Sequence, residues 1–165
     1  MTLPILAVVL APMFVESRIS VRNERRLRAR GAREAPGDVY RWMQLAYPGG
    51  FIAMAGEGLV RGPGGEGQLL TGAALFLAAK GLKYWAMAAL GPSWSFRVLV
   101  VPGAPLVSHG PYAFARHPNY IAVMGEFVAA ALLLNAPAAG LVATLVFAVL
   151  IRKRIGIEER ALLNR

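Results

Sequence analysis

Five apolar stretches, at about Leu3–Ser17, Trp42–Leu59, Leu69–Leu90, Tyr120–Leu134 and Ala138–Ile151, constrain every fold open to this chain. Polar or Gly/Pro-rich breaks separate them. With 56% hydrophobic residues and a mean hydropathy of +0.49 over 165 residues, the chain carries more apolar side chain than one soluble core of this size can hide. The expectation is an all-α integral membrane protein, a single domain of about five transmembrane helices. A full crossing takes roughly 20 residues at about 1.5 Å each. Only the third stretch meets that comfortably. The second contains Gln44, "YPGG" and Glu57, and is expected to form a bent or partly buried helix. The last two are short and joined by "NAP" at 135–137, which predicts a tight antiparallel hairpin with both ends on one side.

Charge gives the orientation. Eight arginines lie between Arg18 and Arg41, Arg97 and Arg116 lie in the segment 91–118, and Arg152, Lys153, Arg154, Arg160 and Arg165 lie in the tail. With five spans these three regions share a side and hold 15 of the 18 basic residues. The excess of basic residues in cytoplasmic loops then puts the N-terminus outside and the C-terminus in the cytoplasm. A net charge of +9 suggests nucleic acid in a soluble protein, but blocks that flank apolar runs orient spans instead. The start, "MTLPILAVVLAPMFVESR", has no basic region before its apolar run and reads as a retained span. The absence of cysteine excludes disulfides and thiol chemistry, and two histidines without partner ligands argue against a metal centre. "GPGGEG" at 62–67 matches GxGxxG in form only: no strand precedes it, and it serves as a connector.

The residues with chemical potential gather where the basic side meets the last hairpin. In "RHPNY", Pro118 suits a first helical turn, where its missing N–H breaks no bond. Asn119 and Glu126 are seven apart and share a face, with Glu126 deep in the apolar layer. Such a carboxylate serves either a cavity or a structural hydrogen bond to a neighbouring helix. Arg154 and Glu158 are four apart and able to pair, in an amphipathic tail or in a site. If the hairpin closes, His117 and Tyr120 at its start meet Arg154 and Glu158 at its end in a half-buried pocket. Lys80 and Lys83 share a face of the third span; snorkelling beside Tyr84 and Trp85 is the default, cavity lining the alternative. His109 is expected to be an exposed loop residue.

"LVSHGPYAFARHPNY", the short apolar hairpin and "RIGIEERAL" together resemble the isoprenylcysteine carboxyl methyltransferase family of integral membrane methyltransferases. The pattern LV-x-x-G-x-Y-x-x-x-R-H-P-x-Y followed by R-x-x-x-E-E covers residues 105–162. "RNERRLRARGAREAPGDVYRWM" and "LKYWAMAALGPSWSFRVLVVPG" look like the small bacterial branch, some of whose members O-methylate alkylpyrones or alkylresorcinols. The resemblance implies a bacterial inner-membrane enzyme that uses S-adenosylmethionine from the cytosol. It further implies that Pro105, Leu106, Val107, Tyr112, His117, Pro118, Asn119, Tyr120 and Glu158 line the cofactor pocket. Arg154 would stand between cofactor and acceptor, making Arg154 and Glu158 the catalytic pair. A glutamine of the eukaryotic enzymes lies near the position of Arg97, where an arginine can instead meet the cofactor carboxylate. Methyl transfer to an oxygen anion needs alignment and exclusion of water. A carboxylate acceptor needs a cation to hold it, whereas a phenol needs a base, for which His117 or Glu158 is the candidate. The acceptor is expected to be lipophilic, either an alkylpyrone or alkylresorcinol or a prenylcysteine carboxylate. A phospholipid N-methyltransferase, an NADPH-dependent reductase of the steroid-reductase type and a non-catalytic helix-locking role are the alternatives.

Overall fold

Arginine is a good helix former, and no glycine or proline interrupts residues 13–30, so the first helix does not stop where its apolar run stops. In a computed structural model, which describes residues 1–163, α1 runs over Thr2–Ala29. This corrects the expected boundary at Ser17: the basic run from Arg18 to Arg28 is not a loop but the second half of the same rod. Gly31, at a φ of +81°, ends it. A short strand β1 (Arg33–Glu34) leads to α2 (Tyr40–Arg61), α3 (Glu66–Leu90) and strand β2 (Leu99–Val100), then α4 (Pro118–Leu133) and α5 (Pro137–Leu163). Helix α2 carries Pro48 within an unbroken helical span, so "YPGG" does not divide it. The hairpin is present as expected. Asn135, at a φ of +51°, turns the chain between α4 and α5, and Pro137 opens α5. Arg165 of the basic tail lies outside the described residues.

Apolar side chains cover much of the outside of the bundle, and several charged ones lie inside it beside the apolar core. Leu3, Val8, Leu45, Ile52, Leu70, Leu77, Leu141 and Leu145 are exposed, whereas Glu16, Lys80, Lys83, Glu126 and Arg154 are buried. An apolar outside around an interior that holds paired charges suits lipid as solvent. Helix α1 and the segment Glu66–Ser93 are each long and apolar enough to cross a membrane. Between the helices, Phe51 stacks on Phe127 at 4.9 Å and Phe147 packs against Phe127 at 4.9 Å, joining α2, α4 and α5.

The two ends of the bundle are built differently. At one, Glu57 of α2 accepts the N–H groups of Ala138 and Ala139 at 3.2 and 2.6 Å and caps α5. Gln68 donates to the Leu132 carbonyl at 2.8 Å, and Asn135 to that of Gly62 at 3.1 Å. The other end gathers the three basic regions. Strands β1 and β2 pair antiparallel, Arg33 opposite Val100. Asn23 of α1 donates to the Trp94 carbonyl at 2.8 Å, and Ser20 accepts the Phe96 N–H at 2.8 Å. Arg28 and Arg97 each reach Glu34 at 2.6 Å. Burial acts to raise the Glu34 pKa, but the hydrogen bonds from Arg28 and then Arg97 outweigh it and hold the carboxyl below its ordinary value.

Two measurements check this architecture. A Cβ added at Gly58 runs into the backbone carbonyl of Leu134, whereas one added at Gly81 meets open space. Gly58→Ala should cost about 1–3 kcal/mol in detergent unfolding, and Gly81→Ala should cost nothing. Because the Glu34 carboxyl is depressed, its contribution is present above its unfolded pKa and lost as the pH falls through the folded value. Glu34→Gln should flatten that acidic limb of the stability profile.

Candidate active site

Helix α4 begins at Pro118 with His117 as its N-cap residue, so Asn119 and Tyr120 occupy its first turn. The antiparallel return of α5 brings Arg154 and Glu158 to the same level. The Tyr120 hydroxyl donates to Glu158 Oε2 at 2.7 Å and accepts from Arg154 Nε at 2.9 Å. His117 Nδ1 lies 3.9 Å from Glu158 Oε2, and its Nε2 lies 3.4 Å from Glu159 Oε1. His117 and Tyr120 stack at 5.5 Å. The two distant motifs thus form one cluster.

Arg154 and Glu158 do not pair directly; the phenol of Tyr120 stands between them. Arg154 pairs with Asp38 at 3.1 Å and also donates to the Phe96 carbonyl. Both partners of this pair are almost fully buried, with side chains 6% and 4% exposed. Asp38 also accepts the N–H of Val98 at 3.0 Å and that of Tyr40 at 3.1 Å. Sequence reasoning missed Asp38. It is the sole aspartate of the chain, set in an arginine-rich segment, and that isolation was the available signal.

The remaining expected site residues divide. Tyr112 sits in a turn of 3-10 helix at Gly110–Ala113; burial first, and then the charge of Glu158, raise its pKa above the ordinary phenol value. Pro118 is buried behind Tyr120. Pro105 and Leu106 are exposed and Val107 is half-buried, all in the connection after β2. His109 is exposed, as expected of a loop residue. Arg97 is committed to Glu34, lies 3.4 Å from Glu24 and covers the Tyr40 ring at 4.6 Å. It ties α1, β1 and the start of α2 together.

A cavity of about 380 Å³ lies inside the bundle, bounded at one end by Asn119, Tyr120, Phe96 and Arg154. Phe14, 74% exposed on α1, is among the residues that line it, as are the exposed Ser17 and Gln44. Lys80 and Lys83 do not snorkel. Lys80 lies 2.9 Å from both Glu16 and Glu126, and Lys83 lies 2.7 Å from Glu16 and 3.4 Å from Glu126. Glu126, fully buried, also accepts the Tyr47 hydroxyl. Glu16 was not anticipated. The stripe Val9, Glu16, Ser20, Asn23, Leu27 forms the buried face of α1, and its spacings of seven, four, three and four were readable in the sequence.

This is a helical bundle of membrane type, with a polar cluster at its basic end opening on an internal cavity. The model of the isoprenylcysteine carboxyl methyltransferase (ICMT) family matches residues 72–164, from α3 to the end of α5. The uncharacterized protein YpbQ of Bacillus subtilis (strain 168) is 30% identical over 158 residues, 96% of this chain and 94% of its own length. No solved structure matches. The chain belongs to the isoprenylcysteine carboxyl methyltransferase family, whose members are S-adenosylmethionine-dependent membrane methyltransferases.

Removing one partner from the buried Arg154–Asp38 pair strands the other charge. Arg154→Met should therefore cost about 3–5 kcal/mol in detergent unfolding. The double variant Arg154→Met/Asp38→Asn should recover part of that loss, with a coupling of at least about 1 kcal/mol.

Proposed function

We propose that the protein is an S-adenosylmethionine-dependent O-methyltransferase acting on a lipophilic acceptor that enters from the membrane. The observation that carries this reading is the Tyr120 hydroxyl joining Arg154 and Glu158 beside a cavity whose lining includes the exposed, apolar Phe14. The residues present suit the cofactor. Asn119 Oδ1 is buried without a hydrogen-bond partner and supplies an acceptor, as does the partly exposed Glu158 carboxylate. These acceptors match the ammonium and ribose hydroxyls, and the stacked His117–Tyr120 pair with Tyr112 offers a wall for the adenine. Bound there, S-adenosylmethionine supplies an electrophilic methyl group on a sulfonium. The basic end of the bundle is then the cytoplasmic end, following the charge bias.

Tyr120 has two roles: it holds Arg154 against the cavity wall and orients Glu158 toward the cofactor side. Asp38 decides between acceptor classes. Its carboxylate cancels the charge of Arg154, so a prenylcysteine carboxylate finds no uncompensated cation at this end of the cavity. A neutral hydroxyl, as in an alkylresorcinol, enters without that penalty.

Purified protein in detergent, given methyl-labelled S-adenosylmethionine and a panel of alkylresorcinol, alkylpyrone, farnesylated cysteine and phosphatidylethanolamine, should label the hydroxyl acceptors. Label confined to phosphatidylethanolamine would make it an N-methyltransferase. NADPH binding without S-adenosylmethionine binding would make it a reductase.

A further inference from the structure

The Tyr120 cluster leaves unexplained a second polar group deeper in the bundle. Glu16, Lys80, Lys83 and Glu126 form a quartet of two cations and two anions drawn from α1, α3 and α4, with Tyr47 of α2 bonded to it. All four are nearly or fully buried. Stability alone is a weak reason for such a group, since well-packed apolar residues commonly serve as well or better.

The quartet is also asymmetric. Lys80 is tied at 2.9 Å to both carboxylates and does not line the cavity; nor does Glu126. Glu16, Lys83 and Tyr47 do line it. Lys83 has one short contact, 2.7 Å to Glu16, and longer ones of 3.4 Å to Glu126 and to the Tyr47 hydroxyl. One side of the quartet is therefore closed by Lys80, and the other faces the chamber. Among the residues lining that chamber, Glu16 is the sole carboxylate and no histidine is present. His117 and Glu158, the bases suggested by the sequence, are not among its lining residues.

We propose that the Glu16–Lys83 pair is the acceptor-activating element of this cavity: Glu16 takes the proton of the acceptor hydroxyl and Lys83 holds the resulting oxygen. The inference rests on the methyltransferase reading and deepens it by naming the base. In the balanced step, the acceptor oxygen uses an electron pair to form the new O–CH3 bond. The S–CH3 bond breaks, its electron pair stays on sulfur and the sulfonium charge disappears. The O–H proton passes to a Glu16 carboxylate oxygen and leaves to water when the product departs. During transfer Lys83 balances the oxygen's negative charge, while Lys80 and Glu126 keep both groups in place. Glu16 and Lys83 thereby become acceptor-binding groups distinct from those that hold the cofactor.

The test compares acceptors that differ in acidity. For an alkylphenol protonated at the assay pH, Glu16→Gln should lower kcat on the order of 100-fold. For an electron-poor alkylphenol of similar shape already ionised at that pH, the loss should be under about threefold, because no proton remains to be removed. The affinity for S-adenosylmethionine should not change in either case. Lys83→Met should weaken binding of the neutral alkylphenol by roughly tenfold, read by tryptophan fluorescence without cofactor. Lys80→Met, which disturbs the same quartet away from the cavity, serves as the structural control and should not reproduce the acidity-dependent loss. Equal losses for neutral and ionised acceptors, the same pattern in Lys80→Met, or unchanged kinetics and binding would overturn the assignment. If the unmodified protein binds alkylphenol in a Lys83-dependent way but transfers no methyl group, the methyltransferase reading fails and the deep binding pole stands. If it transfers methyl groups while Glu16→Gln is silent, the reverse holds.

Discussion

One guanidinium holds the basic end of this bundle together. Arg154, on the last helix, bonds to Asp38 in the α1–α2 connection, to the Phe96 carbonyl in the loop after α3, and to Tyr120 at the start of α4. Four segments far apart in sequence therefore meet on a single side chain. A planar, permanently charged fork suits this task, because its several N–H groups satisfy partners in different directions at once. A lysine supplies the charge but not the fixed geometry. The cluster in which Tyr120 and Glu158 sit depends on this junction, as does the wall of the cavity beside it.

The interior has a consistent electrical logic. Arg154 is balanced by Asp38, and Lys80 and Lys83 are balanced by Glu16 and Glu126. A medium of low dielectric penalises uncompensated charge heavily, so ions inside a membrane bundle come in neutral sets. The chamber is thus polar at two poles without carrying a strong field of either sign. Around it the helices present leucine, valine and phenylalanine outward, the reverse of a soluble core.

Much of this was legible in the sequence, and the boundary of legibility has a physical basis. The hairpin followed from two short apolar runs and an "NAP" turn, and the meeting of His117 with Glu158 followed from the hairpin. The gathering of the three basic regions followed from counting charge between spans. What failed depended on partners rather than periodicity. That Lys80 and Lys83 share a face was readable from a spacing of three. That the face turns inward was not, because it depends on Glu16 more than sixty residues earlier and Glu126 more than forty later. The extent of α1 is not legible from hydropathy, because the chain loses hydrophobicity after Ser17 without losing helix: arginine continues a helix well. A role for Pro105, Leu106 and Val107 rests on resemblance alone, because the connection after β2 that carries them has no periodicity from which a site is read.

Helix α5 is held at both ends by side chains from elsewhere and in its middle by Phe147 against Phe127, so its tilt is closely fixed. Its first turn hangs on Glu57 through the N–H groups of Ala138 and Ala139. Arg154 lies sixteen residues further along, an arm of about 24 Å at the helical rise. A tilt of five degrees about the anchored end would swing the guanidinium by about 2 Å, beyond what its hydrogen bonds tolerate. The carboxylate at one extremity of the bundle therefore bears on where the guanidinium sits at the other.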